Sequence, residues 1–316
     1  MRLGRTVELG WLLLLVVVLG AVHVQTRLSV ARAERTYRSG DAFVEVDGVR
    51  LHYAEAGEGE QAVVLLHGNP GFLQDYDAVM PLIAGEGLRA IAFDRPGHGF
   101  SERPEGTVDV HAQARLVHGA LVRLGVVRPV LVAHSWSGAL ALAYALDYPG
   151  EVRGLVLLAP VAYPRQGFGS RLQALSQVPV LGWLAAWTVI PTLAKPQIPP
   201  VLAAAFAPDP VPGGYEQAAT ALWVRPQQFR AGAADMLGLT AALSEMAPGY
   251  PSIALPVVVM LGDQDRLVPM ALHGLPLAAA IPGARLRIVP GLGHEIPQLR
   301  PDLVAEAVGA VLTPAP

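Results

Sequence analysis

Residues Ala133-His134-Ser135-Trp136-Ser137-Gly138 constrain this chain more than any other stretch. They follow the apolar run Pro129-Val130-Leu131-Val132 and precede the apolar, alanine-rich segment Ala139 to Leu146. The pattern is strand, sharp turn, helix, with a serine on the turn and small residues, Ala133 and Ser137, two places to either side. Such a turn holds its serine in a strained backbone conformation that exposes the hydroxyl, and bulky flanking residues would clash. Serine alone is a weak nucleophile, so the turn has chemical meaning only with a base, an acid and oxyanion donors elsewhere.

Three other strand ends supply candidates. Pro256 to Leu261 reads as a buried strand ending in Gly262-Asp263-Gln264-Asp265. That puts two carboxylates at the carboxyl edge of the sheet, where ligands bind in open parallel folds. One of them would orient an imidazole and stabilise the imidazolium; the other would cap its own turn. His294 lies on the glycine-rich loop Gly291-Leu292-Gly293 after the last strand and can swing toward the serine. Of the nine histidines, His52, His111, His118 and His273 have no such setting. His134 adjoins the serine, but its side chain should point away, so it reads as structural. The third end, Val63-Val64-Leu65-Leu66-His67-Gly68-Asn69-Pro70-Gly71, lets backbone N–H groups approach a ligand. The N–H groups of Asn69 and Trp136 are the expected oxyanion donors, each worth about 3–4 kcal/mol by mutation. Trp136 also opens a helix, whose positive dipole end adds to the field.

Around these ends the chain reads as a mostly parallel sheet. A hairpin is expected about Asp47-Gly48. Short apolar runs follow at Ala62–Leu66, Ala90–Phe93, Val130–Val132, Leu155–Leu158, Val257–Leu261 and Leu286–Val289. Helices are expected between them near Gln74–Ala84, Val108–Leu124, Gly138–Tyr148, Pro269–Ala280 and Pro301–Leu312, covering both faces. Between Pro160 and Pro256 no strand pattern appears, only helical segments punctuated by prolines. The expected organisation is a core of residues 41–162 and 251–316 with a helical cap at 163–250. Within the cap, Leu172 to Ala194 carries no charge. It is long enough for a membrane span, but its prolines, Gly182 and glutamines favour a pair of cap helices.

Residues 1–40 form a separate unit. Leu9 to Thr26 is an uncharged stretch of 18 residues, near the lower limit for crossing a bilayer as a helix. A single-pass anchor is expected, followed by an arginine-rich linker from about Gln25 to Gly40. The rivals are a cleaved signal with Ala31-Arg32-Ala33 as the cleavage site, and a buried core helix. Arg2 and Arg5 precede the stretch, and Arg27, Arg32, Arg35 and Arg38 follow it. The charge bias favours a cytoplasmic domain, while a short amino tail before a long translocated domain is common, so the side stays open. Charged residues make up 16% of the chain, below the ~25% of ordinary soluble domains, in keeping with a membrane segment. Net charge is −3 and cysteines are absent. Nothing therefore points to nucleic acid, and disulfides, thiolate nucleophiles and cysteine-bound metal are excluded.

Taken together, the segments resemble the α/β-hydrolase superfamily over about Phe43 to Leu312. They are His67 to Gly71, Asp94-Arg95-Pro96-Gly97-His98-Gly99-Phe100-Ser101, the Ser135 turn, Gly262 to Pro269 and Gly291 to His294. The order Ser, Asp, His is that superfamily's order. The resemblance implies an α/β-hydrolase fold with an inserted cap, and a catalytic set of Ser135, Asp265 and His294. Asp265 is preferred to Asp263 by the family register, and the Asp94 loop with His98 is structural there. Ala133 and Ser137 stand where glycine is usual. The His67-Gly68-Asn69-Pro70 run with Trp136 also resembles haloalkane dehalogenases, but those and the related epoxide hydrolases need an aspartate where Ser135 stands. Proline iminopeptidases resemble the chain more. The expectation is a membrane-anchored serine hydrolase of small to medium apolar esters, with no metal or organic cofactor. The alternatives are a proline-releasing aminopeptidase, which needs cap acids such as Asp209, Glu216 or Asp235 to hold an amine, and a non-catalytic binding module.

Overall fold

A computed structural model describes residues 2–38, 42–106, 108–165, 167 and 169–313. It opens with one long helix, α1 (Arg2–Tyr37), before the sheet begins. The expected linker is therefore largely helix. Up to Tyr37 it has arginines and alanines, good helix formers, and no glycine or proline, so helix propagates past the apolar run.

Strands β1 (Phe43–Val46) and β2 (Val49–Ala56) pair across a two-residue turn in which Asp47 and Gly48 both have positive φ, 51° and 78°. That backbone matches the right-handed twist of a hairpin. Then come β3 (Ala62–Leu66), α2 (Met80–Gly85), β4 (Arg89–Phe93), α3 (Val110–Arg123), β5 (Val130–His134), α4 (Ser137–Asp147) and β6 (Gly154–Leu158). The chain next leaves the sheet for α5 (Arg171–Gln177), α6 (Leu181–Trp187), α7 (Val189–Ala194), α8 (Ile198–Phe206), α9 (Tyr215–Trp223) and α10 (Pro226–Met246). It returns through β7 (Val257–Gly262), α11 (Gly274–Ala280), β8 (Arg285–Val289), α12 (Ile296–Leu299) and α13 (Pro301–Leu312).

The eight strands form one sheet in the order β1-β2-β4-β3-β5-β6-β7-β8. Pairings are antiparallel at β1–β2 and β2–β4 and parallel from there on. Alternate residues of each strand serve opposite layers. Val64, Leu131 and Leu155 face α3, α4 and α11, while Val63, Val130 and Val156 face α2 and α13. Strand β5 lies centrally and is fully buried, so its carboxyl end delivers Ser135 to the middle of the sheet edge.

Several expected elements differ in detail. The helix expected at Gln74–Ala84 is a 3-10 turn at Leu73–Tyr76 followed by α2, because Pro81 cannot continue a helix but readily starts one. The helix expected from Pro269 begins only at Gly274, after an isolated turn closed by Leu272 N–H to the Pro269 carbonyl. Strand β8 is an edge with Leu286 and Ile288 exposed, not the buried run its apolar residues suggested. Leu172 to Ala194 folds as three short helices broken near Pro179 and Thr188. Among the described residues α1 is the one helix with the length and apolar character to cross a membrane.

Candidate active site

Ser135 follows β5 with a φ of +55°, a left-handed conformation that costs a non-glycine residue of order 1–3 kcal/mol. The surrounding backbone holds it there. Its N–H donates to the Leu158 carbonyl at 2.9 Å, and its own carbonyl accepts from the N–H groups of Gly138 and Val161, each at 2.9 Å. Ala133 and Ser137 are completely buried, and the Ser137 hydroxyl donates to the His67 carbonyl at 2.5 Å. That bond ties the turn to the loop after β3.

His294 arrives from the loop after β8. Its Nε2 lies 2.9 Å from Ser135 Oγ and its Nδ1 lies 2.7 Å from Asp265 Oδ2. Two close approaches make this possible. A Cβ on Gly262 would sit 2.2 Å from the Leu292 carbonyl oxygen, and one on Gly293 would sit 2.1 Å from that of Ala207. Only glycine therefore lets the acid loop, the histidine loop and the end of α8 converge. The other oxygen of Asp265 accepts from the N–H groups of Leu267 and Val268 at 2.8 and 2.9 Å, which fixes the carboxylate. Asp263 is exposed and accepts from the Gly291 N–H at 2.7 Å. It pins the histidine loop without reaching the imidazole.

Electrostatics follow from these contacts. Burial opposes charge on His294, but its hydrogen bond to Asp265 and the charges of Asp265 and Glu295 outweigh that and hold it above the ordinary imidazole value. Burial likewise opposes charge on Asp265, yet the bond and charge of His294 and the two N–H donors hold it below the ordinary carboxylate range. Together the three side chains can carry a proton from a hydroxyl to an imidazole whose cationic form is stabilised by a carboxylate.

His134 does not turn fully away as expected. Its ring centre is 4.7 Å from that of His294, and its Nε2 donates to the His294 carbonyl at 2.9 Å. It braces the backbone of the histidine loop, and burial holds it neutral, down at about 3. His134, His294 and Glu295 bring ligating atoms within 4.8 Å of one another. With both His294 nitrogens and His134 Nε2 engaged in hydrogen bonds, this cluster is poorly suited to a metal. The four histidines without such a setting in the sequence have structural partners: His52 on Asp94, His111 on Asp147, His118 on Glu151, and His273 accepting from the Tyr163 N–H. Asp94 also holds its own loop, accepting from the N–H groups of Leu73 and Phe100.

Trp136 follows Ser135 directly, and a Cβ on Gly68, the residue before Asn69, would lie 3.2 Å from the Ser135 Cβ. Neither the Asn69 nor the Trp136 backbone N–H donates to a protein acceptor among the described residues, while the Asn69 side chain donates to the Gly232 carbonyl on α10. The residue the sequence did not single out is Arg95, which is completely buried. It donates to the Gly68 carbonyl at 3.0 Å and to the His67 carbonyl at 3.0 Å. Its guanidinium lies 4.1 Å from the Trp136 ring centre. In a trans peptide the N–H points opposite to the C=O, so holding the Gly68 carbonyl sets the direction of the Asn69 N–H. The only signal in the sequence was Arg95's place in the Asp94 loop.

Asp235, a candidate for binding a substrate amine, is instead a buried counterion. It accepts from Arg95 at 2.8 Å, Arg103 at 2.9 Å and His98 at 3.0 Å. Burial alone would raise its pKa, but these partners hold it well below the carboxylate range. Burial and Arg95 push His98 down to about 4, leaving it neutral. Asp209 and Glu216 are exposed.

Beside Asn69 and Pro70 opens a pocket of about 370 Å³. Leu172, Ile198, Val201, Trp223 and Phe229 supply its apolar wall, with a few neutral polar groups and no charged residue.

A family model described as alpha/beta hydrolase fold matches residues 61–300. A monoacylglycerol lipase of Mycolicibacterium smegmatis is 28% identical over 82% of this chain and 91% of its own length. A 2-hydroxy-6-oxononadienedioate/2-hydroxy-6-oxononatrienedioate hydrolase of Burkholderia vietnamiensis is 31% identical over 78% of this chain and 85% of its own. Among solved structures, an alpha/beta hydrolase fold protein from Burkholderia ambifaria superposes with a TM-score of 0.74 at 24% identity, covering 86% of this chain and 97% of that one.

Proposed function

The chain belongs to the alpha/beta-hydrolase family, and from that premise we propose that it is a serine hydrolase of small to medium apolar carboxylic esters, anchored to a membrane by α1. Ser135 Oγ attacks the ester carbonyl while His294 Nε2 takes its proton, and Asp265 stabilises the imidazolium. The carbonyl oxygen becomes an oxyanion between the N–H groups of Asn69 and Trp136. Collapse expels the alcohol, protonated by His294, and leaves an acyl-enzyme. Water deprotonated by the same imidazole then releases the acid and restores Ser135. Residues 163–250 serve as the cap that walls the acyl site, on a core of residues 41–162 and 251–316.

The observation that carries the reading is the hydrogen-bonded relay Asp265–His294–Ser135, together with an uncharged pocket lined by Asn69 and Pro70 of the loop after β3. An apolar acyl chain suits that pocket. A substrate with two carboxylates, as in the name of the Burkholderia vietnamiensis relative, would find no cation there. The proline-releasing reading lacks a carboxylate for the amine, since Asp235 is committed to Arg95 and Arg103 and the other two acids do not line the pocket. A purely binding role leaves the strain at Ser135 without a use. The test is labelling by a fluorophosphonate together with hydrolysis of a short p-nitrophenyl ester. Ser135→Ala should lose both while keeping its near-UV circular dichroism, and retention of more than a small residue of activity would remove Ser135 from the nucleophile's role.

A further inference from the structure

We propose that the face formed by α5, α6 and α7 is a second membrane contact, seated in the interfacial layer of the bilayer that α1 crosses, so that acyl substrates approach the site from the lipid side. The proposal rests on reading α1 as a membrane span. That helix has two parts. From Trp11 to Val18 its side chains are exposed all round, Trp11 at 67% and Val17 at 59%. From His23 onward one stripe packs on the inserted helices. Thr26 and Ala33 are buried, the His23 ring lies 5.5 Å from Trp187 and 6.3 Å from Trp183, and Arg27 stacks over Trp187 at 5.7 Å.

Length then decides the level of the bilayer. At 1.5 Å per residue the uncharged stretch Leu9 to Thr26 runs about 27 Å, close to the ~30 Å hydrocarbon core. Without its last four residues it would run only about 21 Å, too short to cross. Those four, His23 to Thr26, begin the part of α1 whose stripe packs on the inserted helices. The helix therefore spans only if His23 lies at the lipid boundary, and Trp183 and Trp187 enter the boundary with it.

The chemistry of α5–α7 fits that position. No charged residue occurs from Leu172 to Ala194, and Val180, Leu181, Leu184 and Leu193 are exposed at 79%, 61%, 43% and 55%. Tryptophans prefer the membrane–water interface, and an arginine there keeps its head group in water while its stem covers apolar surface. Continuity with the bare half of α1 selects lipid as the occupant over a protein partner. Two of these elements also wall the pocket, through Leu172 of α5 and Ala194 of α7, with Val201 of α8 beside them. A chain leaving the bilayer at this face meets the acyl site without crossing bulk water.

The experiment uses the full-length protein carrying Trp11→Phe, reconstituted in phosphatidylcholine vesicles with or without lipid brominated near the headgroup end of the acyl chain. Trp136 and Trp223 are buried, so loss of emission reports Trp183 and Trp187. The expected result is quenching by brominated lipid that disappears in the double variant Trp183→Phe/Trp187→Phe. The variant Leu181→Glu/Leu184→Glu should lose the quenching and hydrolyse a long-chain ester dispersed in vesicles more slowly, with hydrolysis of soluble p-nitrophenyl acetate unchanged. Protein that floats with vesicles but shows no quenching would overturn the docking face while leaving the anchor intact. So would cross-linking of two copies through Leu181. Protein that does not float would sink the anchor reading, and docking with it, while fluorophosphonate labelling of Ser135 would still stand.

Discussion

Asp265 and Asp263 lie two residues apart on one turn, yet only Asp265 reaches His294. If Asp265 orients the base, Asp265→Asn should lower kcat on the order of 10⁴-fold, as with triad acids elsewhere. Asp263→Asn, which weakens one backbone bond, should cost far less, and the reverse ranking would show that the acid is the earlier residue. The raised pKa of His294 sets a pH dependence. The base must be neutral, so kcat/KM should fall as pH drops through a value above the ordinary 6.5 of imidazole. In Asp265→Asn the bond and charge that raise His294 are removed while burial remains, so any residual activity should persist to lower pH. A limb that stays fixed or moves upward would contradict this origin. Arg95→Lys tests the hold on the Gly68–Asn69 peptide: a lysine keeps charge but not the planar fork. If the Asn69 N–H is an oxyanion donor, misaiming it should cost about 10²–10³ in kcat, with KM nearly unchanged and the His294 limb in place. A change confined to KM would assign Arg95 to binding instead.

At the scale of elements, the tie between α10 and the loop after β4 is ionic, with Asp235, Arg95 and His98 completely buried. Asp235 projects from α10 onto Arg95, Arg103 and His98, and Gln113 of α3 donates to it at 2.9 Å. Removing one partner of such a set strands the others without water, typically at a cost of about 3–5 kcal/mol. Asp235→Asn should therefore lower the urea midpoint sharply, whereas Asp209→Asn, at an exposed site after α8, should leave it unchanged. Equal effects would mean that the buried network is not what fastens α10. Glu34 and Arg225 form a weaker ionic tie. That pair, 3.7 Å apart with Glu34 half exposed, joins α1 to the inserted helices but is worth little by itself, since water screens it. Packing of Ala33 and Tyr37 against the cluster around Phe206 and Leu222 does more.

For the molecule as a whole, the proposed function predicts one kind of substrate. The pocket is apolar and has finite volume, so catalytic efficiency should rise from acetyl toward octanoyl esters. Each buried methylene contributes up to ~0.8 kcal/mol, which allows several-fold gains per two carbons. Flat or falling efficiency across that series, with good turnover of proline amides, would favour the aminopeptidase.

The sequence by itself determined the sheet and the identity of the converging side chains. Continuous apolar runs report strands buried on both faces, and the small residues at the ends of those runs mark where the chain must turn at the sheet edge. Ser135, Asp265 and His294 sit at such ends, which is why they could be named before any distance was known, although choosing Asp265 over Asp263 needed the family register. The edge exposure of β8 and the break before α2 escaped, because apolar content does not say which strand is last, and Pro81 fits a helix start as well as an interruption. Tertiary structure alone decided the rest. Arg95 and Asp235 are 140 residues apart, and no local pattern announces that a charge on α10 will neutralise one behind the Gly68–Asn69 peptide. The same holds for α1. Its apolar run is plain in the sequence, but the level at which it meets Trp183 and Trp187 depends on how separate helices pack, a property of the folded molecule and not of any segment.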